Sequence, residues 1–383
     1  MGRDIPQISN DQKDAVWQAY RSGKPTRVPM ILGSNCRVIL LDEKLNTAGQ
    51  TFEQVFNDPA VMMDVMLAHQ YYCRTKLHRY CDWPMGLPDE WVVSPHWMNV
   101  YEAAFFGAEV QFRAGQVPDT EPILSEKSKN AIFDVDLDSE LKRGIFRRGI
   151  DFAEAMKALA AGREFHGRPI RVDRFVNAGT DGPLTTAISL RGVGFLEDLV
   201  LDEEYAEKLM AFIIEAVIRR MHAFRTFYGD ETIWPGYFAD DAIQLISTEM
   251  YCRQVLPHHR RFFQETWPDK PERNIHLCGN VMRHLPTVRR ELNVTSFDTG
   301  FPVDFGKVRQ ELGPDVEIYG GPPISLLLSG KPQDVYDATC RILSSGIKAG
   351  GRFVLREGNN LPPCVPEQNM AAMYKACLDE GKY

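Results

Sequence analysis

The sequence predicts an α/β protein, and more specifically a closed (β/α)8 TIM barrel with additional N-terminal helices. Short apolar strands alternate with amphipathic helices, short loops join them, and the length of 383 residues suits one barrel. An open doubly wound sheet is the alternative, but the sequence has no GxGxxG or Walker motif to support a nucleotide site. We predict a single domain over residues 1–383.

Apolar runs and hydrophobic periodicity locate the individual elements. Strands are predicted at residues 28–32, 174–179, 232–238, 274–278, 295–297, 316–319 and 352–355. Helices, in which apolar residues recur three and four positions apart, are predicted at residues 52–74, 203–227, 305–312 and 332–345.

Composition limits the classes of function. The chain is 44% hydrophobic and 25% charged, which is ordinary for a globular enzyme. No run approaches the roughly 18 apolar residues of a membrane span. A net charge of −8 without a basic tract argues against a nucleic-acid partner. The eight cysteines are scattered without a CxxC pair, which favours a reducing compartment, so we expect a cytoplasmic protein.

One predicted strand ends in a possible metal-binding pair, His276 and Cys278. Side chains alternate along a strand, so these two residues lie on the same face. An imidazole and a thiolate side by side suit zinc, although zinc normally takes three or four ligands. A buried free cysteine and a hydrogen-bonded histidine are the common structural alternatives.

Further polar and glycine residues follow the predicted strands. In a barrel these strand ends meet at one mouth, where carboxylates bind or relay protons and glycines let the backbone approach a ligand. Each residue alone is more often part of a turn or a helix cap. The residues are Asp240, Asp241, Asp298, Gly320, Gly321, Glu357, Asn359, Asn360 and Cys364.

The order of the motifs resembles the uroporphyrinogen decarboxylase superfamily. The motifs are HxCG from His276, DTGxPVD from Asp298, GGPP from Gly320, SGKPQDV from Ser329 and EGxNxPP from Glu357. The resemblance is clearest from about residue 234 to 372 and implies a (β/α)8 barrel. The superfamily joins cofactor-free decarboxylation of uroporphyrinogen with corrinoid-dependent methyl transfer.

The motifs favour the methyltransferase branch. The decarboxylases carry an arginine-rich N-terminal segment that binds substrate carboxylates, whereas residues 31–37 here contain only Arg37. His276 and Cys278 resemble the first two zinc ligands of the methyltransferases, in which the metal holds a thiol as its thiolate. Asn359 stands where those relatives have a third cysteine ligand, so Cys364 and Glu357 are the alternatives.

The resemblance implies a role for each of these residues. His276, Asp241, Asp298 and Glu357 are the predicted catalytic residues. The predicted cofactor-binding residues are Asp240, Gly320, Gly321, Asn359 and Asn360. The predicted metal ligands are His276, Cys278 and Cys364.

The predicted function is transfer of a methyl group between a small methylated compound, or a thiol or folate acceptor, and a corrinoid protein. The implied cofactors are zinc and a corrinoid, such as methylcobalamin, carried by that partner; a homodimer is expected by analogy. The enzyme alternative is a tetrapyrrole decarboxylase, a carboxy-lyase of porphyrin metabolism. A non-catalytic corrinoid carrier is disfavoured because the chain has no DxHxxG signature. The methyl donor stays open among methanol, methylamines, halomethanes, aryl methyl ethers and methylthiols.

Overall fold

A computed structural model describes residues 6–139, 141–268 and 272–383, so residues 1–5, 140 and 269–271 of the predicted domain lie outside it. The strands are β1 (Trp91–Val93), β2 (Val110–Gln111), β3 (Asp119–Thr120), β4 (Glu164–Phe165), β5 (Arg168–Val172), β6 (Asn274–Leu277), β7 (Ser296–Thr299), β8 (Glu317–Gly320) and β9 (Phe353–Leu355).

The helices precede, connect and follow these strands. They are α1 (Asn10–Arg21), α2 (Arg37–Leu40), α3 (Phe52–Asn57), α4 (Pro59–Thr75), α5 (Tyr101–Phe105), α6 (Gly144–Ala160), α7 (Pro183–Arg191), α8 (Gly194–Leu201), α9 (Glu203–Tyr228), α10 (Thr248–Met250), α11 (Leu256–Thr266), α12 (Leu285–Leu292), α13 (Phe305–Leu312), α14 (Ile324–Ser329), α15 (Pro332–Ser344) and α16 (Glu367–Glu380). Among the described helices, none is long and apolar enough to cross a lipid bilayer.

A parallel sheet in the order β6-β7-β8-β9 forms the centre of the fold. Isolated parallel bridges continue it on both sides, from Leu355 to Met30 and from His276 to Ala239. The Ile31 amide also donates to the Leu355 carbonyl at 2.9 Å. Because the strands are parallel, their C-terminal ends share one edge.

The remaining pairings are local or lie apart from this sheet. β1 pairs with β5 in parallel, β4 with β5 antiparallel and β2 with β3 antiparallel. The pairings among the described residues do not close the sheet into a ring. The predicted α/β class with parallel strands is confirmed, and the closed barrel stays a prediction.

The four predicted strands from residue 274 onward are confirmed to within two residues, as β6 to β9. The predicted strands at 28–32, 174–179 and 232–238 are wrong as regular strands. Residues 28–32 and 232–238 contribute only isolated bridges, and the bridge nearest to 174–179 is at Thr180. β5 was missed because two of its five residues are arginines and three are exposed, so it lacks an apolar run.

The predicted helix at 52–74 is two helices. Asp58 is extended, and its Oδ1 accepts from the Ala60 and Val61 amides, so it ends α3 and caps α4.

The two faces of the central sheet differ in polarity. Ile275, Leu277 and Phe297 are buried in the apolar core. The alternate residues His276 and Asp298 are half-buried and line a cavity of 760 Å³. The sheet therefore presents its polar residues to an open interior.

Candidate active site

Three side chains converge where β6 ends. His276 and Cys278 lie one pleat apart, and their Nε2 and Sγ atoms are 3.0 Å apart. Asp241 joins them because Ala239 bridges to His276 and a 3₁₀ turn follows at Asp241–Leu245. The Cys278 amide donates to Asp241 Oδ1 at 2.5 Å. One ligand atom from each residue lies within 4.8 Å of the other two.

A carboxylate orients the histidine of this cluster. His276 Nδ1 is 2.8 Å from Asp298 Oδ2, so this nitrogen carries the proton and donates. Nε2, which faces Cys278, would bind a metal on giving up the proton that it carries in the imidazolium form. Arg356 Nη1 donates to the same Asp298 oxygen at 2.7 Å.

Arg356 links this pair to the start of the chain. Its Nη2 donates to Glu357 Oε1 at 2.9 Å. Both Glu357 oxygens accept from the Gly33 amide, at 3.0 and 3.1 Å. A continuous set of contacts therefore runs from Cys278 through His276, Asp298, Arg356 and Glu357 to the segment after Met30.

Burial and charge perturb several pKa values in this region. Burial acts to lower the pKa of His276, but hydrogen bonds to Asp298 and Cys278 raise it to about 11. Burial raises the pKa of Asp241, and His276 opposes that shift. Burial also raises the pKa of Glu357 to about 7. Such shifts are typical of functional sites.

Asp240 has a structural position rather than the predicted cofactor-binding one. Its side chain is fully buried. Its oxygens accept from the Thr185 amide at 2.8 Å, the Thr185 hydroxyl at 2.7 Å and the Leu184 amide at 3.2 Å. His259 Nε2 lies 2.8 Å from Asp240 Oδ2. Asp240 therefore joins the N-terminus of α7 to α11 and has no surface to offer a cofactor.

Gly320 and Gly321 are required by packing within the protein. A Cβ on Gly320 would lie 2.5 Å from Thr299 Oγ1, and one on Gly321 would lie 1.9 Å from the Arg356 carbonyl oxygen. Both glycines are buried. The close approach of the backbone at these glycines is to neighbouring strands, and their cofactor-binding role stays a prediction.

The loop after β9 does not supply a third ligand. The Asn359 carbonyl accepts from Arg356 Nη2 at 2.5 Å, and its side-chain Oδ1 accepts from the Asn360 amide at 2.9 Å. Asn360 lines a separate cavity of 440 Å³. Cys364 is exposed, and its Sγ lies 3.8 Å from the Leu41 carbonyl oxygen. The structure does not bring Cys364 together with His276 and Cys278, so its role as a metal ligand stays a prediction.

The sequence analysis missed two charged residues of the site. Arg356 immediately precedes Glu357, and a buried Arg-Glu pair at a strand end was a usable signal. Asp181 follows the bridge at Thr180 and is half-buried. Burial, and the charges of Glu102 and Asp241, raise its pKa to about 7. Asp181 follows a predicted strand just as Asp241 does, and this position was the signal that could have identified it.

The fold and this cluster define an α/β protein with a candidate metal centre at the strand ends. Residues 97–379 match the family described as uroporphyrinogen decarboxylase (URO-D). The chain belongs to this family.

The relatives that the chain resembles are methyltransferases. A methylated-thiol–coenzyme M methyltransferase of Methanosarcina mazei is 32% identical over 137 residues, which cover 35% of this chain and 34% of that protein. The methylcobamide:CoM methyltransferase MtbA of the same organism is 23% identical over 283 residues, covering 74% and 77%. The predicted resemblance to the methyltransferase branch is therefore confirmed.

A solved structure has a similar fold. A methyltransferase from Methanosarcina mazei superposes with a TM-score of 0.63 at 17% identity, covering 97% of this chain and 99% of that one. At this identity the likeness concerns the fold alone.

Proposed function

We propose that this protein is a corrinoid-dependent methyltransferase that moves a methyl group between a small methylated compound or thiol and a corrinoid protein. The observation that carries the proposal is the convergence of Asp241, His276 and Cys278 at the C-terminal end of β6. The names of the relatives support the reaction class, since both act on coenzyme M and one on methylcobamide.

The donor set fits zinc. A carboxylate oxygen, an imidazole nitrogen and a thiolate sulfur are its usual ligands, and catalytic sites keep a fourth position open. Asp298 supplies the carboxylate that commonly supports a zinc-bound histidine. Asp241 replaces the third cysteine, whose position Asn359 occupies here. Zinc at these residues would hold a substrate thiol or other donor atom in its nucleophilic or activated form.

The surrounding residues have distinct tasks in this proposal. Asp298 keeps the His276 ring in one tautomer and orientation, and Arg356 fixes Asp298. Glu357 holds the segment after Met30 against this set through the Gly33 amide. Asp181, whose pKa is raised to about 7 by burial, is our candidate for proton transfer to a leaving group.

The architecture and partners are part of the same proposal. We propose that the parallel segments form a closed barrel, that residues 1–383 are one domain, and that a corrinoid protein docks over the strand ends. The similar fold of the solved methyltransferase supports the barrel. A cytoplasmic homodimer remains our expectation.

The decarboxylase alternative has less support. Uroporphyrinogen carries many carboxylates, which need several available cations. Near the site Arg356 already contacts two carboxylates, those of Asp298 and Glu357. Arg37 is the one arginine in the segment after Met30. Arg21, Arg273 and Arg352 also line the 760 Å³ cavity, so the preference for methyl transfer rests on the relatives and on the Asp241–His276–Cys278 cluster.

Metal analysis of matched cysteine variants tests the proposal. We expect about one zinc per chain in the wild type, none in Cys278→Ala, and full zinc in Cys364→Ala, since Cys364 lies away from the cluster. Asp241→Ala separates the structure-based ligand set from the sequence-based one, because we expect it to lose zinc as well. Zinc that survives Cys278→Ala, or is lost in Cys364→Ala, would contradict the assignment.

Methyl transfer tests the reaction itself. The purified protein should demethylate methylcobalamin in the presence of a thiol acceptor, or methylate reduced cobalamin from a methyl donor. The visible spectrum of the corrinoid follows either direction. Activity that is unaffected in Cys278→Ala would refute the role of the cluster.

A further inference from the structure

A third cavity, of 240 Å³, lies against the segment that follows Met30. Ser34, Asn35 and Cys36, which follow the bridge at Met30, form one wall, and His96, which follows β1, forms another. It therefore lies beyond the C-terminal ends of two parallel segments. Gly33, which precedes Ser34, is the residue whose amide binds Glu357.

Apolar and aromatic side chains line most of this cavity. Phe52, Val55 and Phe56 of α3 contribute one side, and Met62 and Met66 of α4 another. Phenylalanine rings and methionine thioethers both make favourable contacts with aromatic ligands. Such a lining holds an apolar ring better than it holds water.

The polar groups of the cavity carry little charge. Among the described residues that line it, none is Asp, Glu, Lys or Arg. Burial lowers the pKa of His69 to about 4, and desolvation also lowers that of His96, so both rings are neutral. Burial raises the pKa of Cys36 to about 12, so its thiol stays protonated.

A neutral lining selects against charged ligands. A methylammonium ion or a sulfonate would lose its hydration here without gaining an opposite charge, which is costly. A neutral ether or thioether loses much less hydration free energy on entering the cavity. Its single acceptor atom can accept from the Ser34 hydroxyl in the tautomer in which His69 Nε2, 2.9 Å away, donates to Ser34 Oγ.

The volume matches one ring. An apolar cavity of about 150 Å³ in another protein holds benzene. The 240 Å³ here therefore has room for a benzene ring with a methoxy or methylthio group. It is smaller than the roughly 300 Å³ at which drug-sized sites begin.

We propose that this cavity binds the ring of a neutral aromatic methyl ether or methyl thioether, the methyl-bearing substrate of the enzyme. The claim that the ligand is the substrate rests on the proposed function, whereas the claim that the cavity binds the ring does not. Ser34 and Asn35 continue the segment that Glu357 holds against the Arg356–Asp298–His276 contacts. These contacts connect the wall of the cavity to His276 of the candidate metal cluster.

Methyl signals of the methionines report occupancy directly. The protein would be labelled with [¹³C-methyl]methionine and titrated with anisole, thioanisole, methylammonium chloride or sodium methanesulfonate. We expect saturable shifts of Met62, Met66 and Met98 with anisole and thioanisole only. Met63 is the matched control, because it neighbours Met62 in α4 and is fully buried without lining the cavity.

Two results would overturn the proposal. One is the absence of selective shifts with both aromatic compounds, and the other is an equal response to the ions. The variant Met66→Trp fills the cavity and should weaken anisole binding by about tenfold or more. Met250→Trp, at a half-buried methionine outside the cavity, should leave binding unchanged.

The outcome separates this inference from the proposed function. Selective binding of anisole by a protein that neither holds zinc nor transfers methyl groups would refute the function and leave the cavity assignment intact. Methyl transfer without anisole binding would support the proposed function and refute the cavity assignment.

Discussion

Asp298→Asn is expected to weaken metal binding without removing any metal ligand. Asp298 Oδ2 accepts from His276 Nδ1 at 2.8 Å and from Arg356 Nη1 at 2.7 Å. Asparagine has the same shape but no negative charge, so it keeps an acceptor and loses the charge-assisted part of both bonds. The His276 ring is then held less firmly in the orientation that directs Nε2 at Cys278.

The expected loss follows from the role of supporting carboxylates. Removal of such a partner typically lowers metal affinity about 10–100-fold, which corresponds to about 1.4–2.7 kcal/mol. The effect should stay below the complete loss expected for Cys278→Ala. The fold should tolerate the change, because Asp298 is half-buried and Arg356 keeps its contact with Glu357.

Competition with a chromogenic zinc chelator at one fixed pH measures this affinity. Glu317→Gln is the matched control, because Glu317 lies on β8 in the same cavity but binds Tyr20 and Ser296. Asp298→Asn should bind zinc at least about tenfold more weakly than both the wild type and this control. Equal affinities in all three proteins would refute the orienting role, and equal losses in both variants would show a general effect of charge.

Three further predictions concern stability. Glu102→Ala should cost about 3–5 kcal/mol in urea unfolding, because Arg220 is fully buried and its guanidinium contacts Glu102 at 2.8 and 2.9 Å; a loss below 1 kcal/mol would contradict this. Asp240→Ala should cost at least about 1–3 kcal/mol by the same assay while retaining zinc, since it leaves buried donors of α7 unpaired; loss of zinc in a folded variant would restore its predicted ligand-binding role. Gly321→Ala should lower both the melting temperature and zinc occupancy, measured by calorimetry and metal analysis, because the new Cβ would displace the Arg356 carbonyl; a wild-type melting temperature would contradict the packing argument.

The central sheet could be predicted because local sequence determines it. β6 to β9 are short apolar runs that end in glycine or polar turn residues, and helical periods separate them. The segments at 174–179 and 232–238 have similar apolar composition, but the one bridge between these regions joins Thr180 to Phe238. Whether such a run pairs regularly depends on distant neighbours, which the local pattern does not contain.

The pairing of His276 with Cys278 was predictable, whereas Asp241 was predicted as a catalytic residue but not as the partner of Cys278. His276 and Cys278 share a face by strand geometry alone. Asp241 comes close to Cys278 because Ala239 bridges to His276. The resulting hydrogen bond joins Cys278 to Asp241, which are 37 positions apart in the chain. Cys364 has a positive φ of 61°, which is uncommon for a residue other than glycine and is not predicted by the local sequence.

The bridge between Met30 and Leu355 has a consequence for the nascent chain during its synthesis. At roughly 5–20 residues per second, the ribosome takes on the order of 15–60 s to reach Leu355 after releasing the segment around Met30. During that interval Ile31 has no carbonyl partner from Leu355. An unpaired apolar segment of this kind is open to pairing with another nascent chain. Crowded polysomes should therefore be the setting in which this protein most needs a chaperone.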